Sequence, residues 1–166
     1  MIKNGQGYVK EYEYGKLSFE GKYLNGERNG KGKEYNQYNH LIYEGEYLNG
    51  LRNGKGKEYD RFDHKLIFEG EYLKGKRWNG KGKEYDNKGN LIFEGEYLNG
   101  ERNGKGKEYD YGELRFEGEY LNGKKNGNFK EYYKNKLIFE GEYINGERNG
   151  KGKEYDYGIL RFEGEY

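Results

Sequence analysis

Paired carboxylates are the catalytic arrangement that remains after the scarcity of Cys, Ser and His in this sequence is taken into account. The 166 residues include 30 Asp and Glu, two His, one Ser and no Cys. Two carboxylates about 5–9 Å apart across a sugar-binding cleft could hydrolyse a glycoside. The glutamates, such as Glu94, Glu96 and Glu108, however recur at fixed positions along the chain. We expect facing strands to bring these glutamates opposite lysines. We therefore expect no enzyme, no catalytic residue and no cofactor.

The two histidines and the glycine-rich segments are the other residues that could bind a small ligand. His40 and His64 are metal-ligand types, but they lie 24 residues apart without accompanying ligands, so we expect no metal site. The segment at 104–107, Gly-Lys-Gly-Lys, has the composition of a phosphate-binding loop, but no helix follows it. We interpret its glycines as structural, because a missing Cβ leaves room for an aromatic ring over the backbone.

The charge distribution limits the classes of partner. Lys and Arg number 31 against 30 Asp and Glu, and the two signs alternate locally. No basic block could follow a phosphate backbone, so we expect no nucleic-acid partner. No polybasic segment flanks an apolar run, which leaves an anionic membrane as a weak alternative. The N-terminus lacks the pattern of a signal peptide, no apolar stretch could span a bilayer, and cysteine is absent, so we expect a cytoplasmic protein.

Seven copies of one five-residue motif indicate how these side chains must be positioned. The motif is aromatic-Glu-Gly-(Glu or Lys)-Tyr, and successive first aromatic residues are 24, 25, 25, 23, 23 and 23 residues apart. A fixed period of this length is typical of a repeat array, in which each repeat is stabilised by its neighbours. We predict that the motif aromatics form the core of the repeats: Phe19, Tyr23, Tyr43, Tyr47, Phe68, Tyr72, Phe93, Tyr97, Phe116, Tyr120, Phe139 and Tyr143.

The sequence of each repeat predicts a β-hairpin. The segment at 91–98 alternates with a period of two, which predicts a strand with Phe93 and Tyr97 on one face. The chain has twelve Asn-Gly pairs, which favour tight turns, and residues 105–109 form the second strand of the same repeat. The predicted fold class is all-β: an elongated, twisted, single antiparallel sheet of stacked β-hairpins without helices.

One continuous repeat array is expected to fill residues 1–166. It begins with an N-terminal half repeat at 1–16, continues with six full hairpins at 17–159 and ends with a C-terminal half repeat at 160–166. The first half repeat supplies a second strand and the last supplies a first strand, so their open edges are complementary. This arrangement suggests head-to-tail self-association as one alternative.

The segment FEGEYLNGERNGKG at 93–106 resembles the MORN repeat (membrane occupation and recognition nexus), whose pattern is aromatic-x-Gly-x-aromatic followed by spaced glycines. The segment at 130–143 is similar to the variant MORN repeat common in bacteria. One departure is that typical MORN repeats have an aromatic residue soon after Gly-x-Gly, where this chain has Lys107 and Glu108. The resemblance implies stacked hairpins in an elongated sheet and a non-enzymatic role in protein binding, scaffolding or self-association.

The irregular repeats are the best sequence guide to a specific partner site. The turns before residues 41 and 66 are lengthened, and the hairpin at 75–80 contains one extra residue and the only tryptophan. Tryptophan is enriched at interface hot spots, whereas the alternative is neutral variation in surface loops. The candidate partner-binding residues are Tyr38, His40, Phe62, His64 and Trp78.

A basic residue recurs two positions after the first turn glycine of each hairpin. We expect these side chains either to form a basic ridge along the hairpin tips, which could steer an acidic partner, or to lie in solvated loops. They are Arg28, Arg52, Arg77, Arg102, Lys125 and Arg148.

These observations predict a non-enzymatic repeat scaffold for protein–protein interaction, which binds a protein or peptide along an aromatic-lined face or groove. One alternative is a structural protein that self-associates through its open sheet ends. The other is a weak module for binding anionic lipid.

Overall fold

Residues 5–166 are described by a computed structural model, and their regular structure is entirely β-strand. The chain divides into two compact units, an N-terminal unit (Met1–Gly80) and a C-terminal unit (Lys81–Tyr166). The strands within the described residues are β1 (Gln6–Glu13), β2 (Lys16–Leu24), β3 (Glu27–Tyr35), β4 (Leu41–Leu48), β5 (Leu51–Tyr59), β6 (Leu66–Leu73), β7 (Lys76–Tyr85), β8 (Leu91–Leu98), β9 (Glu101–Asp110), β10 (Glu113–Leu121), β11 (Lys124–Tyr133), β12 (Lys136–Ile144), β13 (Glu147–Asp156) and β14 (Ile159–Glu165).

Each strand lies beside the next strand in the chain, so the sheet order runs from β1 to β14. The strand pairs run antiparallel, as short connections require. The turn between β8 and β9 is typical: Asn99 and Gly100 have φ values of 54° and 82°, the left-handed conformation that Asn-Gly adopts in hairpins. The prediction of a single antiparallel sheet of hairpins is therefore confirmed for the described residues.

Glycine lies opposite glycine at the centre of most hairpins. Gly21 of β2 pairs with Gly32 of β3, and Gly45 of β4 pairs with Gly56 of β5. A Cβ atom added to Gly32 would lie 2.5 Å from Cζ of Phe19, whose ring is fully buried. The glycines therefore make room for rings that lie against the backbone, as the sequence predicted.

The core of both units consists of aromatic rings. Of the motif aromatics, Tyr23, Tyr97 and Phe116 are half-buried, and the other nine are buried. Phe129 also belongs to the core and is 2% exposed, although it occupies the position that Gly106 has in the preceding hairpin. Because the Phe129 ring fills this space, Phe116 is displaced towards solvent, where Lys125 Nζ lies 3.0 Å from its ring centroid.

The turns at the other end of the hairpins include tyrosines in a strained conformation. Tyr111 has a φ of 50° and is 87% exposed in the two-residue turn between β9 and β10. A bulky residue in the left-handed region costs about 1–2 kcal/mol, whereas asparagine is tolerated there. Tyr14 and Tyr157 share this conformation.

Substituting Tyr111→Asn is expected to stabilise the chain by about 1 kcal/mol, because the strain is relieved and an exposed ring has little packing to lose. Urea unfolding of the variant and the parent chain measures this difference. Asn99→Tyr, in the equivalent conformation at the opposite hairpin end, should destabilise by a similar amount. A loss of stability in Tyr111→Asn would show instead that the ring makes a stabilising contact.

Candidate functional site

The core rings of one face contact each other from repeat to repeat. In the N-terminal unit, the ring centroids of Phe19 and Tyr47 are 5.2 Å apart with an interplanar angle of 85°. In the C-terminal unit, Phe93 and Tyr120 repeat this edge-to-face contact at 5.4 Å and 86°. This geometry is favourable for aromatic pairs. The aromatic core of each repeat is therefore completed by a ring from the next repeat.

Arginines lie on top of these rings. Arg28 Cζ is 4.0 Å from the Phe19 ring centroid, and Arg52 Cζ is 4.1 Å from that of Tyr43. The guanidinium groups also pair with glutamates on both sides, and we call the resulting alternating row the arginine ladder. Its members in the N-terminal unit are Glu11, Arg28, Glu34, Arg52, Glu58 and Arg77; in the C-terminal unit they are Glu84, Arg102, Glu108, Lys125, Glu131, Arg148 and Glu154.

Glu34 illustrates how one carboxylate joins neighbouring repeats. It accepts hydrogen bonds from the Tyr47 hydroxyl at 2.6 Å and from Arg52 Nη2 at 2.5 Å, and Arg28 Nη1 lies 3.6 Å away. Burial alone would raise the pKa of the Glu34 carboxyl, but the Arg52 and Tyr47 hydrogen bonds outweigh it, so the pKa lies below its ordinary value. The folded state therefore stabilises the ionised carboxylate.

The ladder corrects two expectations from the sequence. The arginines form neither a basic ridge nor solvated loops, because they lie inside strands; the Arg28 and Arg52 side chains are only 25% and 20% exposed. The face above the core is also not lined by open aromatic rings. It presents guanidinium and carboxylate groups that cover buried rings such as Phe19 and Tyr43.

A groove lies on the face of the N-terminal unit that is opposite the aromatic core. Residues that follow a core aromatic in a strand, such as Glu20 and Glu44, point to this face. The volume of the groove is about 620 Å³. Tyr8 and the glycines at 21, 32, 45, 56 and 70 contribute to the lining. On either side of the glycines runs a wall of alternating charge. One wall consists of Glu20, Lys33, Glu44, Lys57 and Glu69; the other consists of Lys31, Glu46, Lys55 and Glu71. We call this site the charged groove.

Register and hydrogen bonds hold the first wall in place. Lys33 pairs with both Glu20 and Glu44 across neighbouring strands, which confirms the expected matching of Glu with Lys. The Tyr35 hydroxyl donates to Glu20 at 2.8 Å, and the Tyr59 hydroxyl donates to Glu44 at the same distance. The tyrosine hydrogen bond to Glu20 contributes most to lowering the pKa of that carboxyl. The folded chain therefore stabilises the ionised carboxylate of Glu20 in this wall.

The residues of this repeating geometry also match a known family. The family profile described as MORN repeat matches five segments, 19–36, 43–61, 93–111, 116–135 and 139–157, which together exceed half of the chain. The chain belongs to the MORN repeat family. No curated protein matches the chain. The segments between the matched ones include 62–92, where Trp78 and the inserted residue occur.

MORN repeats are structural repeats that are generally non-catalytic, and they often serve in protein or membrane-lipid interaction. Among residues 5–166, no group of three or more His, Cys, Asp or Glu side chains converges as a metal site. No helical segment suited to crossing a lipid bilayer occurs in the described part of the chain.

Four of the five candidate partner-binding residues lie together in two neighbouring turns of the MORN array. Tyr38 and His40 occupy the turn between β3 and β4; Phe62 and His64 occupy the turn between β5 and β6. The ring centroids of His40 and His64 are 3.8 Å apart, although the two residues are 24 positions apart in the sequence. Trp78 is half-buried within β7, near the opposite ends of the hairpins.

Sequence reasoning missed the residues that join one MORN repeat to the next. The alternation of Glu with Lys predicts that Glu108 faces the lysines of neighbouring strands, on the side away from the core. It lies instead on the core face, where it contacts Arg102 and Lys125, the residue that replaces arginine in this hairpin. A signal was present: in the Lys-Glu-Tyr triplet, alternation places the glutamate on the face opposite the lysine and the tyrosine. The constant spacing of 15 residues between Tyr35 and Glu20, and between Tyr59 and Glu44, also marks a repeated contact.

The tyrosine–glutamate hydrogen bonds predict a loss of stability at high pH. Burial, together with a hydrogen bond to glutamate, raises the pKa of Tyr35, Tyr59, Tyr132 and Tyr143 from 10.0 to about 12. A raised pKa in the folded state means that the stabilisation is complete below about pH 10 and is lost as the pH rises through about 12. Tyrosinate absorbance and circular dichroism, followed together, should therefore change in this window. Native circular dichroism after complete ionisation of the tyrosines would contradict the prediction.

Proposed function

We propose that the chain is a non-enzymatic scaffold that binds a polypeptide segment in the charged groove of its N-terminal unit. The observation that carries this proposal is the alternation of charge along both walls. The lining contains five glutamates and four lysines, a net charge of −1. A phosphate backbone or an anionic lipid surface would meet a glutamate beside each lysine, so its attraction and repulsion nearly cancel.

The spacing of the walls favours a helical segment that carries both charge signs. Neighbouring strands are about 4.8 Å apart, so the sign along a wall changes at that interval. Residues three or four apart in an α-helix are separated by about 4.5–6 Å along the axis. A helix with acidic and basic residues alternating at this spacing would place each charge opposite its complement. The five strands β2 to β6 span about 19 Å, the length of about 13 helical residues.

The lysine and glutamate side chains also offer a surface suited to a peptide. Their aliphatic stems can contact apolar atoms of a ligand, while their charged ends stay in water. The volume of about 620 Å³ lies within the range of ligand-binding clefts. The glycine floor leaves the backbone uncovered, so a helix can lie close to the sheet.

Fluorescence anisotropy with designed helical peptides tests the proposal. One peptide carries Glu and Lys alternating along one stripe; the other has the same composition with the two charge types in separate halves. We expect the alternating peptide to bind at least ten times more tightly at low salt, with an affinity that falls as salt is added. Equal affinity for the two peptides would refute charge matching.

Charge-reversal variants locate the binding site. Lys33→Glu with Lys57→Glu turns one wall of the groove entirely acidic and should reduce binding of the alternating peptide at least tenfold. The matched control is Lys107→Glu with Lys130→Glu, which makes the same change between glutamates of the C-terminal unit. If both double variants lose affinity equally, the groove is not the specific site.

Self-association is a second candidate, favoured by the exposed edge of β14. Phe162 is 42% exposed, whereas the equivalent Phe139 is fully buried. Pairing of β14 with β1 of another copy would place Glu163 opposite Lys10, as Glu140 lies opposite Lys153 within the chain. We propose that this contact is weak, because β1 has a valine where most other second strands have glycine.

The valine at this edge is Val9, which pairs with Gly21 as Gly32 does on the other side of β2. In head-to-tail pairing its side chain would meet the Phe162 ring, which lies 2.5 Å from a Cβ built on Gly164. Val9→Gly is therefore expected to increase association measured by light scattering, by removing this overlap. A variant that stays as monomeric as the parent chain at high concentration would contradict this candidate.

A further inference from the structure

We propose that His40 and His64 together form a binding site for a late first-row divalent cation, with Cu²⁺ bound more tightly than Ni²⁺ or Zn²⁺. These are the only two histidines of the sequence, and the fold brings them side by side. Their ring centroids are 3.8 Å apart at an interplanar angle of 63°, and both residues are exposed. Two imidazoles that converge at the surface are accessible to a dissolved ion without any rearrangement of the core.

The two turns are fixed in a way that keeps the rings together. The Asn36 side chain ties them directly, because its Nδ2 donates to the Arg61 carbonyl at 3.0 Å. Its Oδ1 accepts from the His40 backbone N–H, also at 3.0 Å. In the second turn, Asp60 Oδ1 accepts from the backbone N–H groups of Phe62 and Asp63. Ligands held in position lose little conformational freedom when an ion binds.

The distances suit coordination by one nitrogen of each ring. Metal–nitrogen bonds of about 2.0–2.1 Å require the two nitrogens to be about 3–3.5 Å apart, which small rotations of two touching, exposed rings can provide. The nearby Asp63 carboxylate already accepts the Lys65 ammonium at 2.8 Å, so the remaining positions would be taken by water. Imidazole ligands suit Cu²⁺, Ni²⁺ and Zn²⁺, and at a given site Cu²⁺ binds most tightly of the three.

The turns do not themselves require histidine. The turn that begins at Asp86 has Asn90 at the position of His40, and its backbone N–H makes the same bond to Asp86 Oδ1, at 2.9 Å. His64 has a φ of 59°, a conformation that asparagine also adopts readily. Asparagine can therefore replace either histidine and keep the turn, so the pairing of two imidazoles is not a by-product of backbone geometry.

Histidine NMR of the untagged chain tests the site, because only two imidazole Cε1–H signals are present. Zn²⁺ is the diamagnetic probe, and Cu²⁺ is titrated separately by calorimetry. We expect both signals to shift together and to saturate at one Zn²⁺ per chain, with Cu²⁺ binding at least tenfold more tightly than Zn²⁺. Signals that shift independently, or do not shift with millimolar Zn²⁺, would overturn the proposal.

The single variants His40→Asn and His64→Asn provide the matched controls. Each should keep the circular dichroism and thermal midpoint of the parent chain, and each should lose at least tenfold in affinity for Zn²⁺ and Cu²⁺. The remaining histidine signal should then stay unshifted at the Zn²⁺ concentration that saturates the parent. Unchanged affinity in either variant would show that the two imidazoles do not act together.

Discussion

Gly32→Ala is expected to destabilise the chain by about 3 kcal/mol, the upper part of the range for overpacking a core. The added Cβ would lie 2.5 Å from Cζ of Phe19 and 3.1 Å from Cε2 of Tyr47. Neither ring can move away easily: Phe19 is fully buried, Tyr47 is 3% exposed, and Arg28 covers the Phe19 ring. The backbone at Gly32 does not itself need glycine, so the effect measures the clash alone.

Gly164→Ala is the matched control for this prediction. Its Cβ would also lie 2.5 Å from a phenylalanine ring, that of Phe162. Phe162 is 42% exposed at the edge of β14, so its ring can rotate into solvent and the cost should stay below about 1 kcal/mol. Urea unfolding of both variants gives the comparison. Equal costs at the two positions would mean that the close approach of ring and backbone does not determine which sites require glycine.

Glu34→Ala is expected to cost about 3 kcal/mol, because it leaves several partly buried donors without their acceptor. The Tyr47 hydroxyl and the Arg52 guanidinium both donate to this carboxylate, and the Arg52 side chain is only 20% exposed. Asp156→Ala removes the acceptor of an exposed pair, in which Arg161 and Asp156 are 58% and 53% exposed, and should cost less than about 1 kcal/mol. Chemical unfolding at neutral pH measures both variants.

The pH dependence of the Glu34→Ala penalty separates the ion pair from simple loss of packing. The pKa of Glu34 lies below its ordinary value of 4.5 in the folded chain. Its ionised form therefore stabilises the fold above about pH 4.5, and this contribution is lost as the pH falls through the lowered pKa. The difference in stability between Glu34→Ala and the parent should shrink in acid. A penalty that stays constant down to about pH 3 would contradict the role of the charge.

The strands and their pairing could be predicted from the sequence because they depend on local patterns. The alternation at 91–98, the tight turn at Asn99 and the glycine that accommodates Phe93 are all visible within one repeat. The positions of the arginines were predicted wrongly because most hairpins contain two Asn-Gly pairs, and both pairs predict a turn. Only the first one is a turn: Asn29 and Gly30 lie inside β3, where the register with β2 shifts.

The candidate sites could be predicted only in part, because they depend on how repeats lie side by side. His40 and His64 are separated by one repeat, and in an array such residues belong to neighbouring hairpins; this rule would have placed them together. Phe129 could not be assigned to the core from its own repeat, since it replaces a glycine that the pattern requires. The charged groove is lined by residues of several neighbouring strands, which the sequence of a single repeat does not bring together.

The arginine ladder has a consequence for how such a chain can change its length over evolution. Each junction takes its carboxylate from one hairpin and its tyrosine and guanidinium from the following hairpin, as Glu34 does with Tyr47 and Arg52. Duplication or loss of a whole hairpin would recreate the same junction and leave no donor or acceptor unmatched. Copy number is therefore free to drift, except beside hairpins whose junctions have diverged, such as the one that contains Lys125 and Phe129.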